Sequence, residues 1–191
     1  MAETIGDILF GLPVAGRSCG DCAICCTLPR IDTPELKKAA GVTCPECTGT
    51  GCGIYETRPP ICHAFECGWK RVADMPPEAR PDRLGFMLSI DKEDIPADVF
   101  DNLFFMATAT QDPMTLQTPL ASGVLAALSR SVLPVYIYWD GLKTMVHPHP
   151  ALAAAIMSAG PKSPEAKRWL DRYLPYARMA QGERTRLPPA N

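Results

Sequence analysis

Apolar and polar positions alternate most clearly in the second half of the chain. LGFMLSID (84–91), LFFMATAT (103–110) and PVYIYWDG (134–141) are short runs rich in aromatic and aliphatic residues with turn formers nearby, and they predict strands. Asp140-Gly141 predicts a tight turn, with LKTMV (142–146) pairing back across it as a hairpin. PLASGVLAALSRSV (119–132) opens on a proline suited to a first helical turn and predicts a helix. ALAAAIMSAG (151–160) predicts a short helix ended by Gly160. SPEAKRWLDRYLPYARMAQG (163–182) predicts a helix capped at Ser163 and interrupted at Pro175, followed by a tail (184–191) without regular structure.

The first half is patterned more weakly. Ile5, Ile8, Leu9 and Leu12 sit at helical spacing, so residues 1–18 predict a short helix or arm ending at Pro13 and Gly16. Thr33-Pro34-Glu35 has the chemistry of a helix start, and predicts a helix over 33–40 ended by Gly41. Ile54-Tyr55 predicts a strand-like exit from a glycine-rich loop. ICHAFECGWKR (61–71) predicts a second helix, with His63 and Cys67 on one face and Phe65 and Trp69 on another. RVADMPPEARPDR (71–83) reads as a proline- and charge-rich linker or long loop. The expected fold class is α+β: a cysteine-rich metal-binding N-terminal module (1–70) packed on a small sheet with flanking helices (71–191), together forming one compact domain.

Composition narrows the function classes. The 191 residues are 47% hydrophobic and 21% charged, which are globular values. A net charge of −2 supplies no field that would draw nucleic acid or an anionic membrane. No apolar run is long enough to span a bilayer, and acidic residues stand where an export signal would carry positive charge, so the expected location is cytoplasmic. No phosphate-cradling glycine loop or dinucleotide fingerprint occurs, and nothing identifies a reaction; the reading leans away from an enzyme.

The chemistry is concentrated in the cysteines. All nine lie between Cys19 and Cys67. An odd count in a reducing compartment points to metal ligation before disulfides. The candidate ligands are Cys19, Cys22, Cys25, Cys26, Cys44, Cys47, Cys52, Cys62 and Cys67. If CGDCAICC (19–26) were helical, Cys19, Cys22 and Cys26 would share a face and Cys25 would point aside. Adjacent Cys25 and Cys26 are thus suited to two neighbouring ions rather than one. Cys44-Pro-Glu-Cys47 lets both sulfurs reach one ion from a tight turn, and Gly49, Gly51 and Gly53 around Cys52 suit a metal-binding loop.

Nine ionised thiols would add nine negative charges to a stretch already holding six acidic against four basic residues, and cations would relieve that repulsion. Two zinc ions with four cysteines each would use eight thiols, and two or three zinc ions sharing bridging thiolates would use all nine. A single Fe–S cluster would use four. Zinc is the expected metal, with iron or an Fe–S cluster as the alternative. Glu35, Glu56, Glu66 and His63 are further candidates whose plainer reading is surface charge or packing. His147 and His149 would share a side in an extended segment, and Arg58 is expected to pair with Glu56, Asp32 or the negative charge of the cluster.

The first block carries Cys-x-x-Cys-x-x-Cys-Cys. The second, CGIYETRPPICHAFEC (52–67), carries Cys-x-Ile-Tyr-x-x-Arg-Pro-x-x-Cys-x-x-Phe-x-Cys. Together they resemble the CxxCxxCC cysteine-cluster (YkgJ-like) family of zinc- or iron-chelating bacterial proteins. The resemblance covers the cysteine-rich quarter of the chain. Cys19, Cys22, Cys25, Cys26, Cys52, Cys62 and Cys67 fall on its pattern, Cys44 and Cys47 lie in its variable middle, and His63 stands where the family usually has arginine. It implies metal chelation. The expectation is therefore a metal-binding protein with a multinuclear cysteine-thiolate site, in a storage, sensing or structural and interaction role; an Fe–S redox protein or enzyme is the alternative. Its partners would be metal ions and an unidentified protein, and the acidic balance argues against nucleic acid.

Overall fold

A computed structural model describes residues 12–92, 103–111, 116–131, 133–148, 150–160, 162–164 and 167. The architecture is α+β. In chain order it contains α1 (Ile24–Thr27), β1 (Ile31–Asp32), β2 (Lys37–Lys38), α2 (Pro60–Ala64), α3 (Gly68–Arg71), α4 (Pro81–Leu84), β3 (Phe86–Lys92), β4 (Leu103–Ala109), α5 (Pro119–Leu128), β5 (Val135–Trp139), β6 (Leu142–His147) and α6 (Pro150–Ala159). The strands form a two-stranded sheet, β1-β2, and a four-stranded sheet ordered β3-β4-β5-β6. No helix among the described residues is long and apolar enough to cross a membrane.

The chain divides into two compact units. One takes the described residues up to Ser89 together with Thr108–Ala121; the other takes Ile90–Ala107 and the described residues from Ser122 onward. The first holds every cysteine.

The strong patterns of the second half are realised. β3, β4, α5, β5, β6 and α6 fall where alternation and capping place them. β5 and β6 pair antiparallel, with Trp139 opposite Leu142. Asp140 and Gly141 both take positive φ, 46° and 72°, the left-handed turn that matches strand twist and that this dipeptide favours. Gly160 ends α6 at φ 78°. The predicted arm lies largely outside the described residues, as do most of the predicted 163–182 helix, the tail and His149.

In the second unit, Phe104 and Tyr136 meet edge to face, with ring centroids 4.9 Å apart. Lys143 lies against them, 5% exposed, its Nζ 3.8 Å from the Phe104 ring centre and 4.3 Å from that of Tyr136. The ring faces favour the charged form. Burial nevertheless pulls the Lys143 amine down to about 8, while Asp91 acts against that shift.

Three predictions for the first half are corrected. Residues 33–40 are not a helix. Thr33 caps a hairpin turn instead: its hydroxyl accepts from the Leu36 amide at 3.2 Å, its own amide donates to the Leu36 carbonyl, and β1 pairs antiparallel with β2. Eight residues carry too little intrinsic helicity to resist a side chain that bonds the backbone locally.

The predicted 61–71 helix is broken. Phe65 and Cys67 are extended, so α2 and α3 are separate and His63 and Cys67 share no helix face. Gly68 opens α3 immediately after the break. A Cβ there would lie 2.7–3.0 Å from the side chain of Leu88, which is 1% exposed. Close approach of β3 to α3 therefore requires glycine at a position where glycine weakens a continuous helix. The Ile54-Tyr55 exit is a 3-10 turn over Tyr55–Thr57 rather than a strand.

Of the two readings of 71–83, the long loop holds: residues 72–80 join α3 to α4 without regular structure, and the loop is fastened down. The Arg17 guanidinium donates to the carbonyls of Trp69, Val72, Ala73 and Met75, and Trp69 Nε1 donates to the Pro77 carbonyl at 3.1 Å. Met75 and Ala79 are buried beneath.

Two outcomes follow from this packing. Gly68→Ala lowers stability by about 1–3 kcal/mol, because Leu88 is enclosed and cannot swing away; an unchanged urea midpoint would contradict the close approach. Lys143 has a folded pKa below its unfolded value of 10.5, so its contribution to stability is present above 10.5 and lost as pH falls through about 8. Lys143→Met should therefore gain on the wild type, by at most about 3 kcal/mol, as pH is lowered from 10.5 to 7. Urea unfolding of both proteins at the two pH values checks this, and a pH-independent difference between them would refute it.

Candidate functional site

All nine cysteines are free thiols, and Cys44 is buried while the other eight are partly exposed. They fall into two neighbourhoods. Cys19, Cys22, Cys25 and Cys67 line one small cavity of about 20 Å³, together with Ile24, Trp69, Arg80, Pro81 and Met87. That volume admits roughly one water-sized occupant.

Local backbone geometry builds this group. The Cys22 amide donates to the Cys19 carbonyl at 2.9 Å, turning the chain so that both residues meet the start of α1. Cys25 follows on α1, and Cys67 is the N-cap of α3. Arg80 Nη1 donates to the Cys19 carbonyl at 3.2 Å, while ion pairs to Asp21 and to Asp82, the latter at 2.7 Å, fix its guanidinium. Those carboxylates hold the Arg80 pKa above its ordinary value.

The second neighbourhood forms around Cys26. The Cys44 amide donates to the Cys26 carbonyl at 2.8 Å, and the Cys47 amide to the Cys44 carbonyl at 3.0 Å. Cys47 and Cys52 are partners in an antiparallel bridge, closed by the Thr48 amide donating to the Gly51 carbonyl. Gly51, at φ 135°, is a position only glycine adopts readily, and a Cβ there would lie 3.0 Å from the Gly20 carbonyl. That contact brings the Cys52 loop against the Cys19 loop. Cys62, on α2, faces this neighbourhood: its thiol is raised by burial and by the sulfurs of Cys44 and Cys52, and lowered by Arg58 and Lys38.

Thiol electrostatics link the two neighbourhoods as well as distinguishing them. Burial pushes Cys25 up to about 11 and Cys67 to about 12, and for both the nearest like charges include Cys19 and Cys22. Cys26 is raised by burial and then by Cys25, Cys47 and Cys52. Cys25 and Cys26 hydrogen-bond through their side chains, so the two neighbourhoods meet at this adjacent pair. It is Cys25, not Cys26, that joins Cys19 and Cys22: only residues from Ile24 onward are helical, so helical steps do not reach back to Cys19.

Among the described residues, no three or more His, Cys, Asp or Glu side chains are arranged to hold a metal ion. The residues fit a thiophilic metal in donor type and grouping, not in coordination geometry. The other candidates lie apart from the sulfurs or have other work. His63, Glu35 and Glu56 are exposed. Glu66 accepts from Lys70 Nζ at 3.0 Å with both side chains nearly buried. His147 ends β6. Arg58 pairs with neither Glu56 nor Asp32 and stacks over Tyr55, its guanidinium carbon 4.0 Å from the ring centre. Asp32 is taken by Arg30 and Lys37.

Lys38 is the positioning residue that motif spacing missed. It is 8% exposed, and its Nζ donates to the carbonyls of Thr27 at 2.9 Å, Ala39 at 3.3 Å and Pro29. It thereby closes the C-terminal end of α1, the helix carrying Cys25 and Cys26. Burial lowers its pKa, opposed by Cys44, Cys26, Cys25 and Cys62. Its only sequence signal was a lysine pair in a stretch that read as a helix.

No protein-family model, curated protein or solved structure matches the chain. The cysteine-cluster resemblance rests on the two cysteine blocks alone.

Lys38→Met should lower stability by about 2–3 kcal/mol, since three carbonyls lose a charged donor. It should also speed amide exchange at Leu28, whose amide donates to the Ile24 carbonyl in the last turn of α1. Unchanged exchange there would show that Lys38 does not hold the helix.

Proposed function

We propose that this chain is a cytoplasmic metal-binding protein whose cysteine-rich unit holds zinc through thiolates, in a structural role that supports an interaction module. The observation that carries this reading is the contrast between sulfur and secondary structure. Nine free thiols are gathered where the helices run four or five residues and the strands two. Elements that short have little stability of their own. Zinc held by four thiolates would act as a staple, contributing on the order of 10 kcal/mol to folding near neutral pH. Free thiols suit a reducing compartment. Iron is the second reading, because thiolate is a donor that suits iron as well as zinc.

Elemental analysis and an absorption spectrum of anaerobically purified protein test the proposal. The expected result is a colourless protein with about two zinc ions per chain. Chelation should then expose the Cys19–Cys67 stretch to protease. A brown protein with stoichiometric iron and sulfide would replace zinc with an Fe–S cluster. Less than about one equivalent of any transition metal, where structural sites bind tightly, would overturn the proposal.

A further inference from the structure

We infer that Cys47 and Cys52 are a reversible thiol–disulfide pair, closed by exchange with a small-molecule disulfide and reopened by a thiol reductant. The main chain carries this inference. Cys47 and Cys52 are antiparallel bridge partners, flanked by two hydrogen bonds: the Thr48 amide donates to the Gly51 carbonyl at 3.0 Å and the Gly53 amide to the Glu46 carbonyl at 2.8 Å. These bonds are made by the neighbours of the two cysteines, which marks a non-hydrogen-bonded pair. In such pairs the Cα atoms stand about 4.5 Å apart and the side chains lie closest on one face. A disulfide takes Cα separations of about 4.4–6.8 Å, so the bond forms here without moving the chain.

Among the described residues no other two cysteines are in strand register. Cys25 and Cys26 hydrogen-bond through their side chains, but consecutive Cα atoms stand about 3.8 Å apart, short of the disulfide range. Cys26 also bonds Cys47 through its side chain, yet the main chain ties Cys26 to Cys44. Access to the pair is open. Cys47 and Cys52 are half-buried, while residues 48–50 between them, and Glu46 and Gly53 outside them, are exposed.

The exchange needs only the small disulfide. One cysteine thiolate attacks a sulfur of that disulfide and expels a thiolate. The second cysteine attacks the mixed disulfide and expels the other. Two cysteines lose two electrons and two protons, and one disulfide becomes two thiols. Stabilisation by a cross-link grows with the loop it closes, and this one encloses only residues 48–51, which suits a reversible mark better than a permanent staple. Disulfides in reducing compartments are of this transient kind. Where the metal proposal holds, closure also withdraws two donors from the site, because the ligand is the thiolate. The pairing itself does not depend on that proposal.

The test equilibrates the freshly purified full chain in glutathione buffers of rising oxidised fraction, quenches it in acid, then unfolds it and alkylates it with iodoacetamide. Cleavage after Glu46 and Glu56 isolates residues 47–56, which hold Cys47 and Cys52 and no other cysteine. This peptide should be the first to lose both alkyl groups, at a mass two hydrogens below its reduced form, while the remaining cysteines still alkylate. Dithiothreitol should restore both groups. A different pair closing first, Cys26–Cys47 included, or mixed disulfides that never resolve, would overturn the inference. Zinc released in step with closure supports the link to the metal site. Closure of the same peptide in a chain purified without metal supports the pairing and overturns the metal proposal alone.

Discussion

The constraint on which this structure depends is the gathering of nine sulfurs into one unit that has little regular structure to gather them. Thiols are weak hydrogen-bond partners, and as small apolar groups they contribute modestly to a core. What holds them here is a framework of backbone bonds and of buried or half-buried cations. The Cys19–Cys22 turn, the Cys26–Cys44 link and the Cys47–Cys52 bridge are main-chain contacts. Arg17, Lys38 and Arg80 fasten the intervening loops by donating to carbonyls. Sulfur placement is therefore decided by the loops around it.

Those cations matter for charge as well as geometry. Lys38 faces Cys25, Cys26, Cys44 and Cys62, and Arg58 faces Cys19 and Cys62. Each favours ionised sulfur nearby, while burial works against it at Cys25, Cys26 and Cys67. The fold places fixed positive charge beside thiols whose ionisation would otherwise be self-limiting. On the proposed reading, this lowers the cost of assembling a thiolate site before any ion arrives.

Legibility in the sequence follows the strength of local signals. The 134–147 hairpin was plain because a two-residue turn with positive φ has few sequence solutions, and Asp-Gly is one of them. The cysteine-rich half was less plain because its structure is set at long range. Thr33-Pro34-Glu35 carries real capping chemistry, but the same hydroxyl closes a hairpin turn once Lys38 is buried under α1. The 61–71 pattern was helical by period, yet the chain is extended at Phe65 and Cys67 and resumes its helix at Gly68, which packs closely on Leu88. Residues 71–83 could be read as a linker or a long loop because the anchor of that loop, Arg17, lies more than fifty positions upstream. As for the candidate site, that the cysteines belong together was evident from spacing. Which cysteine faces which was not, since it turns on where α1 begins.

The measurement that bears most directly on the central claim is X-ray absorption at the metal edge of the freshly purified chain. The account predicts zinc with a first shell of four sulfurs at about 2.3 Å and no nitrogen or oxygen neighbour. A first shell containing nitrogen or oxygen, or a protein in which the sulfurs are oxidised to cystine and no metal edge is seen, would contradict it.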